Sequence, residues 1–178
     1  MKIDILTLFP EMINGFLSES IIKRAVEKNI VEIRVINFRD YSKLSNKQVD
    51  DTPYGGGAGM VLRCEPIFDC IDDLRDEETT IILVTPDGLT YNQKMAMELR
   101  LKKHLIIICG HYEGFDERIR SLADYEISVG DYVLTGGELP ACIITDSIVR
   151  LLDGTINKES LSNESFTNNL LDYPTYTK

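Results

Sequence analysis

Short, mostly apolar blocks alternate along this chain with stretches whose apolar residues recur every three or four positions. Lys2 to Leu8 reads as a buried strand closed by Phe9-Pro10. Glu11 to Lys28 carries Met12, Phe16, Ile21, Ile22, Ala25 and Val26 at helical spacing. Val31 to Phe38 alternates and is β-branched, which predicts a strand. Cys64 to Leu74 places Ile67, Cys70, Ile71 and Leu74 on one helical face. Thr79 to Thr85 is a strand ending in the turn Pro86-Asp87-Gly88. Asn92 to Lys102 is a helix and Leu105 to Cys109 a fully apolar strand. Asp116 to Ala123 reads as a short helix, Tyr125 to Val129 as a strand, and Glu138 to Leu152 as a long apolar helix. Arg39 to Gly59 is polar, then glycine-rich, without a period; a loop of that length inside a compact domain is usually functional or disordered.

Strands alternating with helices, the strands continuously apolar, define an α/β fold with a mainly parallel sheet covered by helices on both faces. Ligands of such sheets sit beyond the carboxyl ends of the strands. Three loops leave such ends: Thr85 to Gly88, Gly110 to Gly114, and Val129 to Gly137. The last is the richest stretch of the chain. In Ser128-Val129-Gly130-Asp131-Tyr132-Val133-Leu134-Thr135-Gly136-Gly137-Glu138-Leu139-Pro140 a strand ends in glycine, a second apolar step follows, and paired glycines precede a helix start. Glycines there let a flat heterocycle lie against bare peptide groups, although a plain structural turn has the same pattern.

Beyond Leu152 the composition turns to Ser, Asn, Thr and Lys, and then to Leu170-Leu171-Asp172-Tyr173-Pro174, apolar groups without an evident partner. We therefore expect one domain over residues 1–153 and a flexible linker over 154–178 whose downstream domain is absent. No internal repeat is visible.

The 178 residues suffice for one sizeable core. No apolar run reaches the ~20 residues that span a bilayer, and Met1 to Ile5 is no signal peptide. Cys64, Cys70, Cys109 and Cys142 are scattered, unlike zinc ligands, and fit buried thiols in the reducing cytoplasm. A net charge of −10 argues against non-specific binding to a polyanion. Between Lys23 and Lys47, however, seven basic residues face three acidic ones, either a local basic patch or a solvated mixed face.

Four motifs, in order, then point to a family: Leu6-Thr7-Leu8-Phe9-Pro10-Glu11-Met12, Val49 to Met60, Cys109 to Arg118, and Ser128 to Pro140. Together they resemble the N-terminal domain of the bacterial tRNA (guanine-N1-)-methyltransferases, members of the knotted SPOUT methyltransferases. The resemblance runs to the last residue and implies a trefoil knot in the C-terminal part of the domain, an S-adenosylmethionine cofactor, and a tRNA substrate methylated on N1 of the guanosine 3′ of the anticodon. It also implies a homodimer whose site is shared between subunits, and a soluble cytoplasmic enzyme. The chemistry asks for no metal, because the methyl group is already electrophilic on a sulfonium. It does ask for a base to take the N1 proton and a cation or donor near O6.

Carried onto this chain, the resemblance assigns the cofactor to Leu83, Thr85, Pro86, Gly110, Tyr112, Val129, Gly130, Asp131, Tyr132, Val133, Leu134, Gly136 and Gly137; Val129, Val133 and Leu134 also suit plain strand core. Glu113 would accept from the guanine edge, or simply stand at a helix start. Arg150 would stabilise O6, or cap a helix C-terminus. The family's catalytic Asp-Ser-Phe is here Glu164-Ser165-Phe166, reached through a one-residue gap, so Glu164 is the candidate base or a solvated carboxylate, with Asp172 in reserve. His111 stands where some members have arginine. Asp50, Asp51 and Gly55 to Gly59 form a loop without the Gly-Lys-Ser/Thr ending of a phosphate-binding loop, which makes a nucleotide hydrolase the weakest reading. The rival to the enzyme is a non-catalytic dimeric module that binds cofactor or RNA with its base displaced.

Overall fold

The structure is a computed structural model that describes residues 1–157, 164–166 and 170–178. Five strands form one sheet in the order β2-β1-β6-β5-β7, every neighbouring pair parallel. They are β1 (Lys2–Thr7), β2 (Glu32–Asn37), β5 (Thr79–Thr90), β6 (His104–Cys109) and β7 (Tyr125–Ser128). Two short strands, β3 (Asp50–Asp51) and β4 (Val61–Leu62), pair antiparallel beside it.

The period of two sorts the strand side chains onto two cores. Ile3, Ile5, Ile82, Val84, Leu105, Ile107 and Cys109 meet α1 (Glu11–Leu17), α2 (Ser20–Glu27), α4 (Gln93–Leu99) and α5 (Glu138–Val149) through Ile13, Ile22, Leu99 and Ile144. Leu6, Leu8, Ile81, Leu83, Ile106 and Ile108 meet α3 (Cys64–Leu74) and two 3-10 turns, Phe38–Tyr41 and Glu117–Leu122. Because both faces of β6 are covered, all six of its residues are buried, which is why it reads as an unbroken apolar run.

Several elements differ from the sequence expectation. The helix expected over residues 11–28 is two, α1 and α2, broken where Ser18 folds back on the Gly15 carbonyl at 3.0 Å and Ser20 takes a φ of 53°. Serines compete for backbone groups in this way and favour helix ends. The strand expected to stop at Thr85 resumes after the turn: Val84 and Leu89 both pair with Ile127, and the residues between them bulge out. Arg120 holds that excursion, donating to Asp87 at 3.0 and 2.8 Å and pairing with Glu126. The long 39–59 loop is not structureless, since it contains β3 and buries Val49. Tyr132-Val133-Leu134 is exposed coil, not a second strand. The expected linker over 154–178 lies partly outside the described residues, and Leu170, Leu171, Tyr173 and Tyr176 within it are exposed.

At the amino ends of the strands sits a buried ion pair. Asp4, whose side chain is fully buried, accepts from Arg34 Nε at 2.6 Å and Nη2 at 2.7 Å. His104 Nε2 lies 2.8 Å from the same carboxylate and its Nδ1 lies 2.7 Å from Thr79 Oγ1. Burial works to raise the Asp4 pKa, but the hydrogen bonds of Arg34 and His104 and the charges of Arg34 and Lys2 outweigh it, and the pKa falls below the usual value. Such a group stabilises the fold above its unfolded pKa and loses that contribution as pH falls through the folded one. We therefore expect Asp4→Asn to cost about 2–3 kcal/mol in urea unfolding at pH 7, with the deficit shrinking below about pH 4.

Candidate active site

Three loops deliver the site. At the bulge that follows Val84 in β5, and beyond the carboxyl ends of β6 and β7, lies one cleft with a cavity volume of about 280 Å³. It gathers Thr85 and Pro86 from the first loop, Gly110, Tyr112 and Glu113 from the second, and Val129, Gly130, Tyr132, Val133, Leu134, Gly136 and Gly137 from the third. The loops expected to converge therefore do so. Two expected residues are placed elsewhere: Leu83 is fully buried in the sheet core, and Asp131 is exposed outside the lining. The reason for Leu83 is the strand period, which turns it toward α3 while its neighbour Val84 is in the cleft wall. Sequence reasoning left out Val84, His111, Phe115, Ser128, Thr135 and Pro140, which also line the cleft. Each adjoins a residue that was chosen or belongs to a quoted motif, so the motif's full width was the available signal.

Among the lining residues, the glycines bring main chain into close approach. Gly137 N–H donates to the Gly110 carbonyl at 2.9 Å. A Cβ on Gly137 would stand 2.7 Å from Cys109 Cα and 2.8 Å from Gly110 N, backbone atoms that cannot swing away. Gly130 has a φ of 152°, and a Cβ there would strike the Tyr132 ring at 2.5 Å. On the far side the glycine-rich loop buttresses Glu113. Glu113 N–H donates to the Met60 carbonyl at 3.0 Å, Leu62 N–H to Gly114 at 2.9 Å, and the exposed Glu113 side chain lies against Gly59, where a Cβ would come within 2.4 Å of it.

Arg150 and Glu164 are brought together, but not at this cleft. Arg150 Nη1 and Nη2 donate to the two Glu164 carboxylate oxygens at 2.7 and 2.5 Å, a bidentate pair with both side chains roughly a quarter exposed. The hydrogen bond from Arg150 holds the Glu164 carboxyl below its usual pKa, against a smaller opposing effect of burial. Gly137, at the cleft, caps one end of α5 and Arg150 the other. At 1.5 Å per residue that is about 20 Å along the helix axis. Asp172 is exposed; its N–H donates to Ser165 Oγ at 2.9 Å and its carboxylate accepts from Tyr173 N–H.

An all-parallel sheet with a glycine-walled cleft at the strand ends defines an α/β domain with a small-molecule site where such sheets bind their ligands. The family model for tRNA (Guanine-1)-methyltransferase TrmD matches residues 1–178, and the chain belongs to that family. It is 56% identical over 178 residues to a tRNA (guanine-N(1)-)-methyltransferase of Malacoplasma penetrans, covering all of this chain and 79% of the relative. A tRNA (guanine-N(1)-)-methyltransferase of Staphylococcus epidermidis is 55% identical over 181 residues, with all of this chain and 74% of the relative covered. The crystal structure of tRNA (m1G37) methyltransferase from Aquifex aeolicus superposes with a TM-score of 0.84 at 36% identity, covering all of this chain and 76% of that one.

The two kinds of glycine separate in a stability measurement. Gly137→Ala should cost about 2–3 kcal/mol in urea unfolding, because the new methyl meets fixed backbone. Gly15→Ala, with nothing within 4 Å of the added carbon and a helical setting, should instead stabilise by about 0.5–1 kcal/mol.

Proposed function

We propose that this protein transfers a methyl group from S-adenosylmethionine to N1 of the guanosine immediately 3′ of the anticodon in tRNA. The observation that carries the reading is the glycine-walled cleft at the β5 bulge and the ends of β6 and β7, in a chain matched end to end by this methyltransferase family. The cleft fits the cofactor. Its glycines leave peptide groups bare, and about 280 Å³ is near the lower bound for small-molecule sites. Bound there, S-adenosylmethionine supplies an electrophilic methyl carbon, so Thr85, Gly110 and Val129 to Gly137 need only hold it in line with the nucleophile.

The chain's own residues supply the rest. Glu113, exposed at the cleft rim and backed by Gly59, accepts from the N1–H and N2–H donors of a guanine that has left its stack. Glu164 takes the N1 proton. The Arg150 guanidinium beside it keeps that carboxylate ionised at neutral pH, hence ready to accept, and offsets charge that grows on O6. A module with a displaced base leaves this bidentate pairing unexplained. Asp172, two bonds of contact away through Ser165, is the reserve acid–base group.

The separation along α5 supports a site shared between two copies. Arg150 and Glu164 of one chain stand about 20 Å from that chain's own cleft, and a second subunit can bring its pair to it. The surface suits a homodimer: α5 exposes Leu139 and Ile143 while Ile144 and Ile148 are buried, and Met12, Val133 and Leu134 are exposed as well. The trefoil knot belongs to the same reading, and the backbone contacts of Gly88 with Glu126–Ile127 and of Gly137 with Cys109–Gly110 suit chain segments threaded tightly past one another. So does a cytoplasmic location, where tRNA is modified; among the described residues no helix is long and apolar enough to cross a membrane.

Methyl transfer from tritiated S-adenosylmethionine to a tRNA transcript with guanosine 3′ of the anticodon, and none to a transcript with adenosine there, is the expected result. Equal labelling of both, or of neither, defeats the reading. Glu164→Gln should lower kcat at least ~100-fold while leaving cofactor affinity within about twofold. Mixing equal amounts of Glu113→Gln and Glu164→Gln subunits should restore about a quarter of wild-type activity, since half of the dimers then contain one intact composite site. A site within one chain would give only the residual activities.

A further inference from the structure

Strand β5 is interrupted where it reaches the cleft. Val84 and Leu89 both pair with Ile127 of β7, so residues 85–88 bulge out of the pairing. Thr85 and Pro86, at the start of the bulge, line the cleft. Gly88 closes the bulge against main chain, where a Cβ would lie 2.6 Å from Glu126 C and Ile127 N. Between these ends the hold is made by side chains. Thr85 Oγ1 donates to Asp87 Oδ1, and Arg120 Nη2 donates to Asp87 Oδ1 at 3.0 Å and to Oδ2 at 2.8 Å. The hydrogen bond from Thr85 first, and those from Arg120 second, keep the Asp87 carboxyl below its usual pKa. An ionised carboxylate only accepts, so the Thr85 hydroxyl is fixed as a donor to Asp87 from outside the cleft.

Arg120 itself does not line the cleft. It stands on the 3-10 turn Glu117–Leu122, anchored by Ile119, which is fully buried in the second core. Its Nη1 pairs with Glu126 on β7, and its Nε donates to Glu117 Oε2 at 3.1 Å. One guanidinium therefore joins three carboxylates: Glu117 on its own turn, Glu126 on the strand, and Asp87 on the bulge.

We propose that Arg120 is a positioning residue for the cleft: by tying Asp87 to β7 it holds the bulge of β5, and with it Thr85 and Pro86, in the place that receives the cofactor. This deepens the methyltransferase reading given above and rests on it. Two physical points separate this cluster from an ordinary surface pair. The planar guanidinium presents its five N–H donors in a fixed fork, so it sets the relative placement of the acceptors it joins as well as neutralising them. Its removal also leaves Asp87, Glu117 and Glu126 around one position with no cation between them, and like charges at such range repel. Glu117 and Glu126 are carried by a packed turn and a sheet strand, so the displacement falls on Asp87 and the bulge.

Calorimetric titration of the full chain with S-adenosylhomocysteine reads the effect without tRNA or turnover. Arg120→Met should raise the Kd about fivefold, the upper end for partly exposed ion pairs. Asp87→Asn should raise it by a similar factor, and the double variant by no more than the larger single change, because both break the same link. Glu117→Gln removes only the partner on the turn of Arg120 itself and should bind as the wild type does. In tritiated methyl transfer the loss should appear in KM for S-adenosylmethionine with kcat within about twofold, a split that lowered stability alone does not produce; urea unfolding reports whether each variant is folded. A folded Arg120→Met protein with the wild-type Kd overturns the proposal, as does a fully additive double variant or an equal loss in Glu117→Gln. Should Arg120→Met fail to fold, Asp87→Asn, a change at an exposed residue, decides on its own Kd. A wild type that binds no S-adenosylhomocysteine removes the methyltransferase reading instead, whereas a wild type that binds and variants that bind equally well remove the role of Arg120 alone.

Discussion

The structure depends on how closely its main chain passes itself at the carboxyl edge of the sheet. Gly137 packs against Cys109 and Gly110, and Gly88 against Glu126 and Ile127, at distances where no Cβ fits. Helix α5 therefore starts directly on the end of β6, and the Val129–Gly137 loop is drawn over the Gly110–Gly114 loop. The cleft is the space left between these crossings. Where these backbones touch, side chains are excluded and peptide groups form the wall. The same exclusion puts Glu138 under the floor, where Thr7 is the hydroxyl within reach. Stability and recognition thus share one source, since whatever loosens the crossing also opens the pocket.

Charge plays a narrower part than composition suggests. A net charge of −10 is unfavourable for approach to a polyanion. Three of the seven basic residues between Lys23 and Lys47 are also spoken for: Arg34 is committed to Asp4, Lys43 pairs with Asp69 at 2.7 Å, and Lys47 pairs with Asp40 at 3.2 Å. Exposed pairs of the last two kinds contribute little to stability, but they do cancel local field. Affinity for tRNA then has to come from shaped contacts, such as those proposed for Glu113 and the Arg150–Glu164 pair, more than from a diffuse positive surface.

Most of the sheet was legible because burial on two faces and a period of two leave a direct imprint: β1, β5 and β6 appear as apolar runs, and α3 falls at Cys64–Leu74 as its spacing predicts. What escaped follows from interactions that leave no local imprint. The break at Ser18–Ser20 arises from side-chain competition inside an otherwise helical pattern. The return of β5 after its bulge depends on Arg120 reaching Asp87 from 33 residues away. Strand order is equally non-local, so the convergence of three loops was arguable from the parallel fold yet not visible in spacing. Among site residues, Gly110, Gly130 and Gly137 were legible as glycines that had to be glycine, whereas His111 looked like an ordinary motif residue.

Helix α5 joins these strands of the argument. One end carries the backbone crossing, the cleft and the buried Glu138; the other carries Arg150 and, through it, Glu164. Under the proposed function, a base held by Arg150 about 20 Å along that helix from its own cleft would serve the cleft of a second subunit. Apolar residues on both sides of the helix fit that geometry, because Ile144 and Ile148 are satisfied by the sheet while Leu139 and Ile143 are left facing outward. In the proposed reaction the Arg150–Glu164 pair would also let a glutamate serve where a longer side chain would otherwise wander. Two hydrogen bonds to a planar guanidinium orient its carboxylate and keep it charged, so the extra methylene is taken up in reach rather than lost as disorder.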